Sequence, residues 1–150
     1  MTTAEVAAGF AHGMECFATC GGTRLACRRG AGGLAIVDDE GLAQDAGDRG
    51  QRLLGGFREL ASCHTLMGDV RGGGLFLGVE LVTDRTTKDP AGALASYVSN
   101  RLRDHRILIG TDGPFDNVLK IRPPLTISAT DCDLLLARLD EILHEAVLLN

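Results

Sequence analysis

The sequence predicts an α+β domain in which a small, largely antiparallel sheet is covered by helices. Apolar residues alternate over 75–82, which follow a second candidate strand, 65–71, and a triple glycine at 72–74, so this stretch is typical of a hairpin. Two short apolar runs, 107–109 and 118–121, lie on either side of an Asp-Gly-Pro turn and can join the same sheet. Apolar residues at helical spacing before and after these strands predict the helices that cover the sheet.

The N-terminal part of the chain contains three predicted helices. Residues 2–14 form a short helical pattern that is followed by a glycine turn. Residues 25–37 also have helical spacing, but they include three glycines, each of which costs about 1 kcal/mol relative to alanine inside a helix. We therefore expect a weak helix there. A third helix is predicted to end near residue 61, because apolar residues recur at helical spacing: Ala46, Leu53, Phe57 and Leu60.

Two further helices are predicted around the last strands. Asp89 and Pro90 are the residue types expected at the N-cap and first position of a helix, and the apolar stripe that follows extends to Leu102. Ser128, with Asp131 three residues later, is predicted to form a capping box that opens a C-terminal helix. Both helices would pack on the predicted sheet.

Length, composition and charge limit the class of protein. A chain of 150 residues has room for one modest domain, or for part of a larger one. Hydrophobic residues make up 45% of the chain, but no apolar run approaches the ~20 residues of a membrane span and no targeting pattern is visible. We therefore expect a soluble, cytoplasmic protein. The net charge of -5 and the lack of a basic tract argue against a nucleic-acid partner.

The cysteines and histidines do not predict a metal site. The five cysteines form no Cys-x-x-Cys pair, so we expect reduced thiols, with a soft-metal site shared by Cys16, Cys20 and Cys27 as the weaker alternative. The four histidines are spread over different predicted elements and form no cluster with acidic residues. A surface position is expected for each of them: His12, His64, His105 and His144.

Lys120 and Arg122 are the candidate substrate-binding residues. They are two positions apart on the predicted strand before a double proline, so their side chains share one face. A fixed pair of cations can bind an anion, and the alternative is a solvated strand edge. Arginine holds a carboxylate with two parallel hydrogen bonds, whereas lysine is a mobile point charge that serves a phosphate well.

Three segments resemble a known family: residues 19–27, 68–81 and 110–125. They resemble, in the same order, segments of the class III, fold-type I aminotransferases, which use pyridoxal phosphate (PLP). The first is similar to the family pattern Thr-aromatic-Gly-Gly-Asn-Pro-Leu-Ala-Cys, and the second to its Arg-Gly-x-Gly-Leu hairpin. In the third, Lys120 stands where the family usually has an arginine that grips the substrate carboxylate, and this replacement shifts the implied ligand from a carboxylate toward a phosphate. This segment is most similar to phospho-lyases that act on ethanolamine phosphate and phosphorylated hydroxylysine.

The resemblance implies a domain organisation, a cofactor and a homodimer. Residues 1–62 would be the end of the large domain with its linking helices, and residues 63–150 the C-terminal α+β domain. Thr19, with Gly21 and Gly22, would contact the PLP phosphate of the neighbouring subunit. The alternative for these three residues is a plain turn before a helix.

No residue of the chain matches the family's catalytic lysine. A PLP enzyme needs a lysine amine to hold its cofactor as a Schiff base. The chain has two lysines, Lys88 and Lys120, and neither resembles that site. Residues 2–5 resemble the stretch that follows shortly after the family's PLP-binding lysine, which implies that this lysine would lie before Met1. We therefore expect the C-terminal part of a transaminase for a small amine or amino-acid substrate, inactive by itself. The alternatives are a PLP-dependent phospho-lyase on a small phosphorylated amine and a non-catalytic dimerisation or interaction module.

Overall fold

A computed structural model describes residues 3–9 and 23–148 of the chain. The chain divides into two compact units, Met1–Ile36 and Val37–Asn150. The domain boundary after residue 62 that the family resemblance implies stays a prediction. No helix in the described parts of the chain is both long and apolar enough to cross a membrane.

Helix α1 spans Ala4–Gly9 and helix α2 spans Arg24–Asp39. The predicted glycine-rich helix is therefore confirmed, and none of its residues is buried. Thr23 stands where the family pattern has asparagine, and its hydroxyl accepts a hydrogen bond from the Ala26 amide at 3.1 Å. Threonine and asparagine both cap helix N-termini, so this substitution preserves the cap. The large apolar side chains of α2 are mostly exposed: Leu25, Leu34 and Ile36.

Helix α3 spans Leu42–Cys63 and lies against the sheet. It begins after Gly41, whose φ of 63° is in the left-handed region that glycine adopts readily. The helical spacing predicted from the sequence is confirmed, with Leu53 and Phe57 fully buried. α3 thus provides one of the covering layers of the core.

The sheet contains four antiparallel strands in the order β1-β2-β4-β3. Gly73 pairs with Phe76, so the predicted hairpin is confirmed and only two residues, Gly74 and Leu75, connect its strands. Together with the helices, this arrangement confirms the predicted α+β architecture. The strand bounds are β1 Met67–Gly73, β2 Phe76–Leu81, β3 Gly110–Asp112 and β4 Val118–Ile121.

The prediction of a strand at 107–109 is wrong. The edge strand is β3, which begins directly after this segment, at Gly110. The backbone groups of the predicted segment already have other partners. The Ile107 amide donates to the Leu102 carbonyl at 2.9 Å, and the Ser99 hydroxyl donates to the Ile109 carbonyl at 2.7 Å. Ile107 and Ile109 are instead partly buried against the core.

Helix α4 spans Gly92–Asp104, and its predicted N-cap at Asp89 is also wrong. Pro90 forms a β-bridge with Val82, which holds this segment extended. The Asp89 carboxylate accepts a hydrogen bond from the Thr87 hydroxyl at 2.7 Å rather than from a helix amide. The helix therefore begins two residues later than the sequence predicts.

Helix α5 spans Ala129–Leu148 and opens with the predicted capping box. The Asp131 amide donates to the Ser128 hydroxyl at 3.1 Å, and the Ser128 amide donates to the Asp131 carboxylate at 3.3 Å. α5 packs against α3 and α4. The three helices and one face of the sheet enclose the core, whose largest fully buried side chains are Leu53, Phe57, Met67, Leu81, Leu102, Leu119, Leu139, Ile142 and Leu143.

Candidate functional site

Lys120 lies on the sheet face opposite the core. Its strand neighbours Leu119 and Ile121 are buried, so the alternation of side chains along a strand directs Lys120 to the other face. Its partners on the adjacent strands are Gly78 of β2 and Gly110 of β3. Neither glycine carries a side chain; Gly110 is exposed, and Gly78 is partly exposed beside the side chains of Val118 and Arg71.

Asp112 of β3 is the ion-pair partner of Lys120, through its Oδ2 atom and the lysine Nζ. The hydrogen bond from Lys120 lowers the pKa of Asp112 below its ordinary value, and a hydrogen bond from the Gly113 amide at 2.9 Å contributes in the same direction. The Asp112 side chain is 53% exposed and that of Lys120 is 33% exposed. Ion pairs of such exposure stabilise a fold only weakly, so an incoming anion can compete for Lys120.

Arg71 lies in the same cross-strand row as Lys120. It pairs with Gly78 on β2, which in turn pairs with Lys120 on β4. Two strand spacings separate the backbones of the two cations by about 10 Å. Arg71 donates to Asp69 at 2.7 Å and to Glu80 at 3.1 Å, so its charge is shared between two carboxylates.

Arg122 follows directly after β4 and contacts Phe76. Its guanidinium carbon is 5.5 Å from the centroid of the phenyl ring, within the range of a cation–π contact. Because Leu77 pairs with Ile121, Phe76 and Arg122 lie next to each other on the same face as Lys120. The structure thus brings the two predicted substrate-binding residues to one face.

Two clefts border Lys120. One has a volume of about 400 Å³ and is bounded by both Arg71 and Lys120. The other, of about 550 Å³, contains both Lys120 and Arg122 and is lined mainly by apolar residues of the segments before β3 and after β4. Lys120 is therefore placed where a ligand can approach from either side. The remaining lining of the first cleft is Gly72, Phe76, Leu77, Gly78, Asp112, Gly113 and Val118.

Sequence reasoning identified Asp112 only as part of a turn and missed its pairing with Lys120. The sequence signal for this pairing is the two short antiparallel strands on either side of the turn. Because Asp112 pairs with Val118 in these strands, Asp112 is a diagonal neighbour of Lys120. The predicted cofactor-binding residues, Thr19, Gly21 and Gly22, lie outside the described residues.

The prediction that the histidines form no cluster with acidic residues is wrong. His64 is buried at the end of α3, and its Nε2 atom is 2.6 Å from Oδ1 of Asp140 on α5. His144, one helical turn further along α5, has its Nδ1 atom 3.3 Å from the same oxygen. The packing of α3 on α5 produces this cluster, and local sequence patterns do not show it.

A family model described as "Aminotransferase class-III" matches residues 1–143. The chain belongs to the class III aminotransferase family. It is 39% identical over 135 residues to the Drosophila melanogaster protein "Alanine--glyoxylate aminotransferase 2-like", a match that covers 89% of this chain and 27% of that protein.

Phospho-lyases are among the relatives of this class III chain. The Caenorhabditis elegans protein "Ethanolamine-phosphate phospho-lyase homolog 1" is 36% identical over 143 residues, which cover 95% of this chain and 31% of that protein. A solved phospholyase from Arthrobacter, in complex with phosphoethanolamine, superposes with a TM-score of 0.83 and 33% identity, covering 95% of this chain and 34% of that one. The chain therefore spans about a third of the length of the relatives it matches.

Class III aminotransferases depend on PLP, and the two lysines of this chain do not fit its Schiff-base site. Lys88 is exposed, with a φ of 58°, in the irregular segment between β2 and α4. Lys120 is paired with Asp112 on an open sheet face. Lys88 is thus an exposed residue of an irregular segment and Lys120 an ion-paired strand residue, and we assign the PLP-anchoring role to neither.

The ion pair with Lys120 makes the stability of the fold depend on the pKa of Asp112. Because its pKa is lowered in the folded chain, the pairing stabilises the fold above the ordinary aspartate pKa, and this contribution is lost as the pH falls through the Asp112 pKa. In Lys120→Met we expect the pKa of Asp112 to rise toward its ordinary value, measured from the carboxyl carbon by NMR. Lys88→Met is the matched control and should leave that pKa unchanged. Equal Asp112 pKa values in the two variants would contradict the pairing of Asp112 with Lys120.

Proposed function

We propose that the chain forms the substrate-side domain of a class III aminotransferase, in which Lys120 binds the anionic group of a small amine or amino-acid substrate. The observation that carries this proposal is the position of Lys120 between Gly78 and Gly110 on an open sheet face. An ammonium group has three donors, so Lys120 can keep its bond to Asp112 and still donate to a ligand.

We propose phospho-lyase activity on a small phosphorylated amine as the second candidate. Three cations, Arg71, Lys120 and Arg122, lie on this face, and the residue at its centre is a lysine rather than a carboxylate-gripping arginine. A phosphate offers more acceptor oxygens and more charge than a carboxylate, so it competes better with Asp112 for Lys120. The similarity to an Arthrobacter phospholyase that binds phosphoethanolamine supports this candidate.

We further propose that the Schiff-base lysine comes from protein outside these 150 residues, since neither lysine of the chain fits that role. Thr19, Gly21 and Gly22 would then approach the PLP phosphate of the neighbouring subunit in a cytoplasmic homodimer. The sequence resemblance and the family membership support both the external lysine and these phosphate contacts. The competing hypothesis is a non-catalytic dimerisation or interaction module, for which no anion binding at Lys120 is expected.

Calorimetric titration of the chain with phosphoethanolamine tests the proposal. We expect weak binding, with a Kd of about 1 mM, because the face is open and both Arg71 and Lys120 are already paired with carboxylates. Lys120→Ala should weaken binding by about tenfold or more, which corresponds to the loss of one charged hydrogen bond. Lys88→Ala is the matched control and should bind as the unaltered chain does.

Two further ligands separate the candidates. Ethanolamine lacks the phosphate and should not bind measurably. L-Alanine offers a carboxylate, so binding tighter than that of phosphoethanolamine would favour the aminotransferase over the phospho-lyase. Equal affinities of Lys120→Ala and Lys88→Ala for every ligand would contradict the role of Lys120 and leave the interaction module as the better hypothesis.

A further inference from the structure

The end of α3 and the last turns of α5 bring two imidazoles and one carboxylate together. His64, Asp140 and His144 each offer one ligand atom, and these atoms lie within 4.8 Å of one another. His64 and Asp140 are 76 positions apart in the sequence, so the fold creates this cluster. α3 and α5 enclose the core on the side of the sheet opposite Lys120, which separates the cluster from the substrate face.

We propose that His64, Asp140 and His144 bind one divalent transition-metal ion, with zinc as the best match. Two imidazole nitrogens and one carboxylate oxygen form a ligand set that suits zinc. Metal–ligand bonds of about 2.0–2.2 Å at tetrahedral angles place neighbouring ligand atoms about 3.3 Å apart. The His144 nitrogen and the Asp140 oxygen are already 3.3 Å apart, whereas the 2.6 Å between His64 and Asp140 must open by less than about 1 Å.

His64 is held in place before any ion binds. Its side chain is only 3% exposed. Its backbone amide donates to the Leu60 carbonyl at 2.9 Å, and its carbonyl accepts from the Met67 amide at 3.2 Å. The imidazole ring of His144 lies edge-on to that of His64, with the ring centroids 4.5 Å apart. A fixed buried ligand reduces the ordering cost of metal binding.

Asp140 and His144 supply the solvent side of the site. They are one turn apart on α5, so their side chains are neighbours, and they are 41% and 67% exposed. Water can therefore complete the coordination. The Nδ1 atom of His144 is 2.9 Å from the Asp140 carbonyl, and binding exchanges that contact for a bond to the metal. The ion would link α3 to α5 and stabilise their packing.

Calorimetric titration of the chain with ZnCl2 tests the site. Cys63 precedes His64 and is exposed, so the measurement uses the Cys63→Ser variant with other accessible thiols blocked by iodoacetamide. We expect one saturable site with a Kd of about 1 µM, and a higher melting temperature in the presence of zinc. No saturable binding below about 1 mM would overturn the proposal.

Two substitutions in this background distinguish a metal site from a purely structural contact. His144→Gln removes an exposed ligand, should fold normally, and should weaken zinc binding at least about tenfold. His105→Gln removes a histidine at the end of α4, outside the cluster, and should leave binding unchanged. Equal zinc affinities of these two variants would overturn the proposal, and the melting curve of each without zinc reports whether it is folded.

Discussion

Gly50→Ala is expected to destabilise the chain by about 3 kcal/mol, because the added methyl group has no space. Gly50 lies on the buried face of α3, where a Cβ atom would be 2.2 Å from the Gly74 carbonyl oxygen and 2.7 Å from its Cα atom. These are backbone atoms of the β1–β2 connection, and they cannot rotate away. Helix and hairpin must therefore move apart. Urea unfolding measures the loss as a change in the free energy of unfolding.

Gly55→Ala is the matched control for that experiment. Gly55 is in the interior of the same helix, but no heavy atom lies within 4 Å of the position its Cβ would take. Alanine favours the helix over glycine, so this variant should be stabilised by up to about 1 kcal/mol. We expect the two substitutions to change the free energy of unfolding in opposite directions. Destabilisation of both variants by similar amounts would contradict the close contact between α3 and the hairpin.

Phe57→Ala is expected to cost about 3–5 kcal/mol, through lost burial and the cavity that remains. Phe57 is fully buried in the core beneath the sheet. Phe115→Ala is the control, because its ring is 63% exposed and its loss should change stability by less than about 0.5 kcal/mol. Unfolding free energies that differ by less than about 1 kcal/mol between the two variants would contradict the assignment of Phe57 to the core.

Elements defined by local signals are predictable from the sequence. The triple glycine predicts the β1–β2 hairpin, and Ser128 with Asp131 predicts the start of α5, because both signals act over a few residues. The edge strand β3 and the start of α4 depend on distant partners. The bond from Ser99 to the Ile109 carbonyl and the bridge between Val82 and Pro90 decide these boundaries, and neither follows from local spacing.

In the candidate site too, local signals are predictable from the sequence and long-range contacts are not. The period of two along a strand is enough to place Lys120 and Arg122 on one face. The pairing of Lys120 with Asp112 depends on strand register, and the contact of His64 with Asp140 depends on helix packing across 76 positions of sequence. The two short strands on either side of the turn are the one local signal for that register, and a single sequence contains no direct signal for helix packing over 76 positions.

The role of Lys120 is tested most directly by an amide NMR titration with phosphoethanolamine, compared between the unaltered chain and Lys120→Ala. The proposal predicts saturable shifts at Gly78 and Gly110, the two residues that flank Lys120, and at Gly113, whose amide donates to Asp112. In Lys120→Ala these shifts should be largely lost. Equal shifts in both chains, or shifts confined to other parts of the sheet and helices, would contradict the assignment of this face to the substrate anion.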